Sequence, residues 1–222
     1  MLILASASPR RSDLLTQAGF VFEVIASSIA EERAPGEAAI PFAARLAREK
    51  AEAVFAAQRG GCDRPDDPLI VIGADTVVVS SPQTGGEILG KPLDAEDAVR
   101  MLTLLAGNTH QVITGVCVVS RVAAEEAVEV TYVTMLTPTA GEIAAYVGTG
   151  EPMGKAGAYA IQGHAARWIP RVQGCYFNVV GLPLALAANM IEGMQRRVAL
   201  SESASRETLD QSVPAQFLSG SQ

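Results

Sequence analysis

Residues 2–11 read LILASASPRR: a short apolar run, a Ser and Ala loop, then a proline and two arginines. The pattern is strand, tight loop, helix start. Ser8 is placed to cap, Pro9 suits the first helical position, and Leu14, Leu15 and Ala18 carry an apolar stripe until Gly19 ends it. Arg10 and Arg11 are out of place there, because cations in a first helical turn oppose the helix dipole by ~0.3 to 1 kcal/mol each, whereas its free N–H groups attract anions. Two readings fit: the pair faces an anion, or it is a solvated pair that tolerates the penalty.

The segments beyond it extend an α/β order. Val21–Ile25 is a short strand, and Ser27–Pro35 is a polar connection that contains Glu31. Pro41–Gln58 is helical, with Phe42, Leu46, Lys50 and Val54 on one face. Lys50 therefore sits in an apolar stripe, where it either snorkels its ammonium to the edge or aims it at a phosphate. Arg59–Pro68 reads as a Gly, Asp and Pro rich turn before the strong strand Leu69–Val79, LIVIGADTVVV. Asp75 interrupts that strand, and a carboxylate there must be paired, bind a metal or face a cleft, with a structural ion pair as the plain alternative.

A turn at Gln83–Gly86 and a return strand at Glu87–Leu89 lead to the constrained loop Gly90-Lys91-Pro92. Asp94 caps a structural helix, and His110–Ser120 and Val128–Met135 alternate as strands joined through a polar Arg121–Ala127 segment. Thr139–Val147 is a short helix, and Gly148–Ala166 is a long polar loop with Glu151, Lys155, Tyr159, Gln162 and His164. Strand-like pieces in Trp168–Val180 and a final helix over Leu182–Arg197 complete a domain of residues 1–197. Residues 198–222 are expected to be a polar, disordered tail.

Composition narrows the function. Net charge is −7, which argues against broad nucleic-acid binding, and no apolar run suits a membrane span. The N-terminus lacks the basic and apolar regions of a signal peptide, so a cytoplasmic protein is expected. Three scattered cysteines and two histidines leave carboxylates and hard cations as the plausible metal chemistry. Arg10, Arg11, Lys50 and Lys91 with Glu31 and Asp75 then describe a polyphosphate site, in which cations neutralise phosphate oxygens and carboxylates hold Mg²⁺ or a similar ion. The GxxxxGK[ST], GxGxxG and GxSxG signatures are all missing from the chain.

LASASPRRSDLL, RLAREKA, GADTVV, GKP, LAGNTHQVITGV, KAGAYAIQG and NVVGLPL follow one another from Leu2 to about Glu192. In that order they resemble the Maf family of nucleoside triphosphate pyrophosphatases. The resemblance implies a mixed, twisted α/β sheet with flanking helices and two lobes around a cleft, like inosine triphosphate pyrophosphatases. It further implies a divalent cation (Mg²⁺, Mn²⁺ or Co²⁺), often a homodimer, and cleavage of a nucleoside triphosphate between its α and β phosphates. By the same resemblance Asp75, Lys50 and Lys91 are catalytic, Glu31 and Asp75 hold the metal, and Ser8 and Arg10 bind substrate. Arg11, Thr76 and Gln162 match the positions that select dTTP and UTP, and AGAYAIQG carries that subfamily's signature. Gly154 stands where the family usually has Asp. The alternatives are a 7-methyl-GTP pyrophosphatase and a nucleotide-binding regulator of septum formation.

Overall fold

The computed structural model describes residues 1–62 and 67–210, apart from the side chains of residue 62 and of residues 205–210. Seven strands form one mixed sheet in the order β2 (Glu23–Val24), β1 (Leu2–Leu4), β3 (Ile70–Val79), β5 (Thr109–Ser120), β6 (Ala124–Thr134) and β7 (Arg171–Gln173), with β4 (Ile88–Leu89) also paired to β3. β2, β1 and β3 are parallel; every other pairing is antiparallel. Helix α1 (Pro9–Gln17) returns the chain from β1, as the opening stretch predicts.

Both faces of β3 are covered, which explains its nearly unbroken apolar sequence. On one face lies α2 (Ala39–Cys62). Its Ala43, Ala47 and Ala51, four residues apart, form a seam of small side chains over Gly73 and Gly115. A Cβ at Gly73 would stand 2.3 Å from the Ala47 carbonyl oxygen, and one at Gly115 2.3 Å from that of Ala43, so only glycine permits this approach. The close crossing brings Lys50 against β3. The larger core fills the opposite face, where α3 (Ala95–Leu105), α4 (Ala140–Gly148), α5 (Tyr176–Val180) and α6 (Leu184–Asp210) pack Met101, Leu102, Leu105, Ile143 and Met190 with Ile72 and Val116.

Four expectations change. α2 continues through Cys62, so the turn expected from Arg59 starts later, and residues 63–66 of it lie outside the described residues. The β5–β6 connection is only Arg121–Ala123, because the polar residues after it belong to the strand. Glu125 pairs with Arg197 of α6 at 2.6 Å, and its neighbour Glu126 pairs with Arg48 of α2, so each helix-covered face supplies an arginine. Tyr176–Val180 is helical despite its β-branched and aromatic residues. α6 runs past Arg197 to Asp210: Val198 extends its buried stripe, and Glu202 pairs with Arg121 in the hairpin turn at 2.6 Å. The rest of the expected tail, residues 211–222, lies outside the described residues. Among the described residues no helix is long and apolar enough to cross a membrane.

Candidate active site

β3 has two different neighbours on one edge. β1 pairs with it only as far as Ile72, and β4 begins at Val78, so Gly73–Val77 has no strand partner there among the described residues. A cavity of about 380 Å³ opens against this gap, at the carboxyl end of β1. That is where ligands enter open α/β sheets. Ser8, Arg10, Arg11, Glu31, Lys50, Asp75, Thr76, Lys91 and Gln162 all line it.

Alternation along β3 sends Asp75 towards α2 and Thr76 towards α1 and α5. Asp75 and Lys50 are 7% and 6% exposed, and Lys50 Nζ donates to Asp75 Oδ1 at 2.6 Å. The same nitrogen lies 2.6 Å from Glu31 Oε1, and Lys91 Nζ reaches Glu31 Oε2 at 3.0 Å. Asp75, Lys50, Glu31 and Lys91 thus form one line of alternating charge from the buried strand to the rim. Burial opposes ionisation of Glu31, but hydrogen bonds and charge from Lys50, then Lys91, outweigh it and hold the carboxyl at about 2. Glu31 and Asp75 are the two residues here that could hold a metal; no cluster of three or more metal-ligating side chains occurs among the described residues.

Arg11 forms the other wall. It is 8% exposed, and its guanidinium donates to Gly181 O at 2.7 Å, Ser6 Oγ at 3.1 Å and Thr76 Oγ1 at 3.0 Å. Burial pulls its pKa below the ordinary value, with the charge of Asp75 opposing. One hydrogen remains on each terminal nitrogen for a ligand. Behind it, Thr76 Oγ1 meets Thr114 Oγ1 at 2.9 Å, Thr114 donates to Asn178 O at 3.4 Å, and Asn178 Nδ2 donates to Val112 O and Thr131 Oγ1 at 2.9 and 3.0 Å. Arg10 donates to Val180 O at 3.2 Å. Ser8 occupies the cap position of α1 without a capping side-chain bond; Ser6 Oγ instead accepts from Ser8 N–H at 3.2 Å as well as from Arg11.

The loop from Gly150 closes the cavity. Gly157 N–H donates to Gly90 O at 3.1 Å, which docks the loop beside Lys91. Gly154 has φ +71°, a left-handed conformation that glycine adopts freely. His110 is a packing residue of β5, 1% exposed, with Nε2 2.8 Å from Tyr159 Oη; burial lowers its pKa to about 4. Sequence reasoning missed Ser6, Ser27, Thr114, Lys155 and Asn178. Of these only Lys155 carried a signal, as a cation in a long polar loop. With it the lining holds five cationic side chains against two carboxylates, a local excess of positive charge in a chain of net charge −7.

The sequence profile of the Maf-like protein family matches residues 1–194. A dTTP/UTP pyrophosphatase of Geobacter sulfurreducens is 50% identical over 202 residues, covering 90% of this chain and 97% of its own. Similar too are dTTP/UTP pyrophosphatases of Koribacter versatilis, 48% identical over 190 residues (86% and 92%), and Salmonella typhimurium, 48% identical over 183 residues (82% and 87%).

Proposed function

The chain belongs to the Maf family, and on that premise we propose that it hydrolyses dTTP and UTP between the α and β phosphates, releasing the monophosphate and pyrophosphate. The observation that carries this reading is the charge line Asp75, Lys50, Glu31 and Lys91, opening on a cavity that also holds Arg10 and Lys155. Such a site suits a triphosphate: ammonium and guanidinium groups neutralise its oxygens, and a carboxylate in the water-excluding wall serves an attacking water.

Lys50 and Lys91 act on charge that grows on the phosphate oxygens during cleavage, and Arg10 with the N-terminus of α1 holds the chain of phosphates in place. Asp75 faces the gap in the sheet, where it orients the attacking water or takes its proton. Glu31 and Asp75 are the hard oxygen donors that would hold a divalent cation, by turning towards it from the Lys50 ammonium that both now meet, since Mg²⁺-like ions are commonly held by one or two carboxylates together with substrate phosphates. Mg²⁺, Mn²⁺ or Co²⁺ bound there would polarise phosphoryl oxygens and acidify water. Arg11, Thr76 and Gln162 read the pyrimidine. Gln162 supplies both a donor and an acceptor, matching the alternating carbonyl and N–H groups of a uracil or thymine edge. The same proposal carries cytoplasmic action and a homodimeric state.

The test is product analysis with dTTP, UTP, CTP and 7-methyl-GTP in the presence of Mg²⁺. Monophosphate and pyrophosphate in equal amounts, fastest from dTTP and UTP, are expected. Release of orthophosphate from dTTP would refute the reaction, and a preference for 7-methyl-GTP would refute the specificity.

A further inference from the structure

Gln162 is exposed on the cavity wall, and its amide has no hydrogen-bond partner among the described residues. A side chain that discriminates between bases must nevertheless come from a fixed backbone, since a group free to move adapts to the wrong edge as readily as to the right one. What fixes this backbone lies away from the cavity. Gly163 N–H donates to Ala160 O at 3.0 Å, so Ile161 and Gln162 are the central residues of a turn. One flank of that turn is tied to α4 and the other to the turn that follows α4. Ala160 N–H donates to Tyr146 Oη at 3.1 Å, and His164 N–H donates to Glu151 Oε1 at 3.0 Å and to Oε2 at 3.3 Å. Tyr146 Oη in turn donates to Glu151 Oε1 at 2.8 Å, which joins the two anchors.

The anchors themselves are well seated. Tyr146 is buried in α4 and stands edge-on to Trp168 at 5.2 Å. Glu151 is mostly buried, its backbone carbonyl accepts from Lys155 Nζ, and its N–H donates to Thr149 Oγ1 at 3.2 Å. Its carboxylate lies so close to the turn that a Cβ at Gly163 would fall 2.1 Å from Oε1. The imidazole of His164 is 3.8 Å away, and the carboxylate therefore spends its hydrogen-bonding capacity on one hydroxyl and one backbone amide. Nothing in the charge line beside Asp75 takes part in this arrangement.

We propose that Glu151, through Tyr146 and the amides of Ala160 and His164, is the positioning residue for base selection, holding the turn that presents Gln162 to the pyrimidine. The inference rests on the reading of Gln162 as the base-recognising residue. It assigns to a carboxylate outside the reacting centre an effect on selectivity and KM, with little effect on kcat.

The experiment measures kcat and KM for dTTP and CTP in the parent, Glu151→Ala, Glu151→Gln, Tyr146→Phe, Gln162→Ala and the Glu151→Ala/Gln162→Ala double variant, with amide hydrogen exchange over residues 160–164. Glu151→Ala is expected to lower the dTTP-to-CTP ratio of kcat/KM by about 10-fold through KM, with exchange at Ala160 and His164 accelerated. Glu151→Gln, which keeps the acceptor oxygen, should restore most of the ratio. In the Gln162→Ala background, Glu151→Ala should cost no further selectivity, whereas a general structural defect would add its full effect. If Glu151→Ala does not fold, Tyr146→Phe, which keeps the packed ring, carries the same test. A parent that does not release pyrophosphate from dTTP, or does not prefer it to CTP, overturns the functional reading before any variant is made. A discriminating parent whose Glu151→Ala and Tyr146→Phe variants discriminate equally well overturns the positioning role alone.

Discussion

Asp75 and Thr76 are consecutive residues of β3, yet they serve opposite walls of the cavity. Asp75 joins a wall of paired charges, in which Lys50, Glu31 and Lys91 succeed one another at 2.6 to 3.0 Å. Thr76 joins a wall of hydroxyls, carbonyls and one amide, in which Arg11, Thr114 and Asn178 fix one another by neutral or singly charged hydrogen bonds. The difference shows how one strand serves two purposes: a period of two sends adjacent side chains to opposite faces, so a gap in one sheet edge presents both walls to the same ligand. Removing the shared cation Lys50 from the first wall leaves two carboxylates without their common partner. Removing a group from the second loosens a donor.

The largest break expected is on the charged wall. Asp75→Asn should leave the melting transition near that of the parent, because Lys50 keeps Glu31 as partner, but should lower kcat for dTTP by roughly 10² to 10⁴-fold. Near-parental pyrophosphate release would remove Asp75 from the chemistry.

Lys50→Met tests whether that wall joins stability to catalysis. It removes the common partner of Asp75 and Glu31, and breaking a buried pair costs about 3 kcal/mol or more, so both the melting temperature and kcat/KM should drop. Lys91, with 60% of its side chain exposed, gives the contrast: Lys91→Ala should slow cleavage with little change in melting temperature. Equal stability losses in the two variants would contradict the gradient from buried strand to rim.

Acid should separate the charge line from the core behind Thr76 by pH. His110, on the face of Thr76, is buried with a pKa of about 4, below its ordinary 6.5. Between those values the unfolded chain binds the proton and the folded chain does not, so stability falls as pH drops from 6.5 through 4, by on the order of 3 kcal/mol at the limit. Glu31 is held at about 2 against an ordinary 4.5, so its contribution persists above 4.5 and is lost only as pH falls from there through 2. Denaturant titrations at pH 7, 5 and 3.5 should show the earlier loss in the parent and a flatter profile in His110→Gln. An unchanged profile in that variant would discount the histidine.

Thr114→Val is the mildest test and the sharpest for the neutral wall. It keeps the shape and removes the hydroxyl behind Thr76, so the guanidinium of Arg11 loses its backing, and selectivity between dTTP and CTP should fall by about 10-fold, the equivalent of one hydrogen bond of about 1.4 kcal/mol. kcat for dTTP should remain within about threefold of the parent. A matching loss of kcat on every nucleotide would show that the two walls are not separable.

By itself the sequence determined the parts that break a pattern. Arg10 and Arg11 in a first helical turn, Lys50 in an apolar stripe and Asp75 in a β-branched run are each costly where they stand, and local periodicity is enough to expose that cost. β1, α1, β3 and α3 were legible for the same reason, since apolar spacing and caps act over a few residues. Where partners lie far along the chain, the sequence was silent or misleading. Glu125 and Glu126 read as a polar connection because the arginines that neutralise them come from α6 and α2. Val198 and Glu202 read as tail because their partners lie in the core and in the β5–β6 turn. Tertiary structure alone decided that Lys50 joins Asp75 to Glu31, since this depends on how closely Ala43 and Ala47 of α2 approach Gly115 and Gly73. It alone decided that Thr114 and Asn178 stand behind Arg11 and that Glu151 holds the turn of Gln162. Buried hydroxyls, amides and short carboxylate contacts acquire meaning only from the atoms they meet, and folding, not spacing, brings those atoms together.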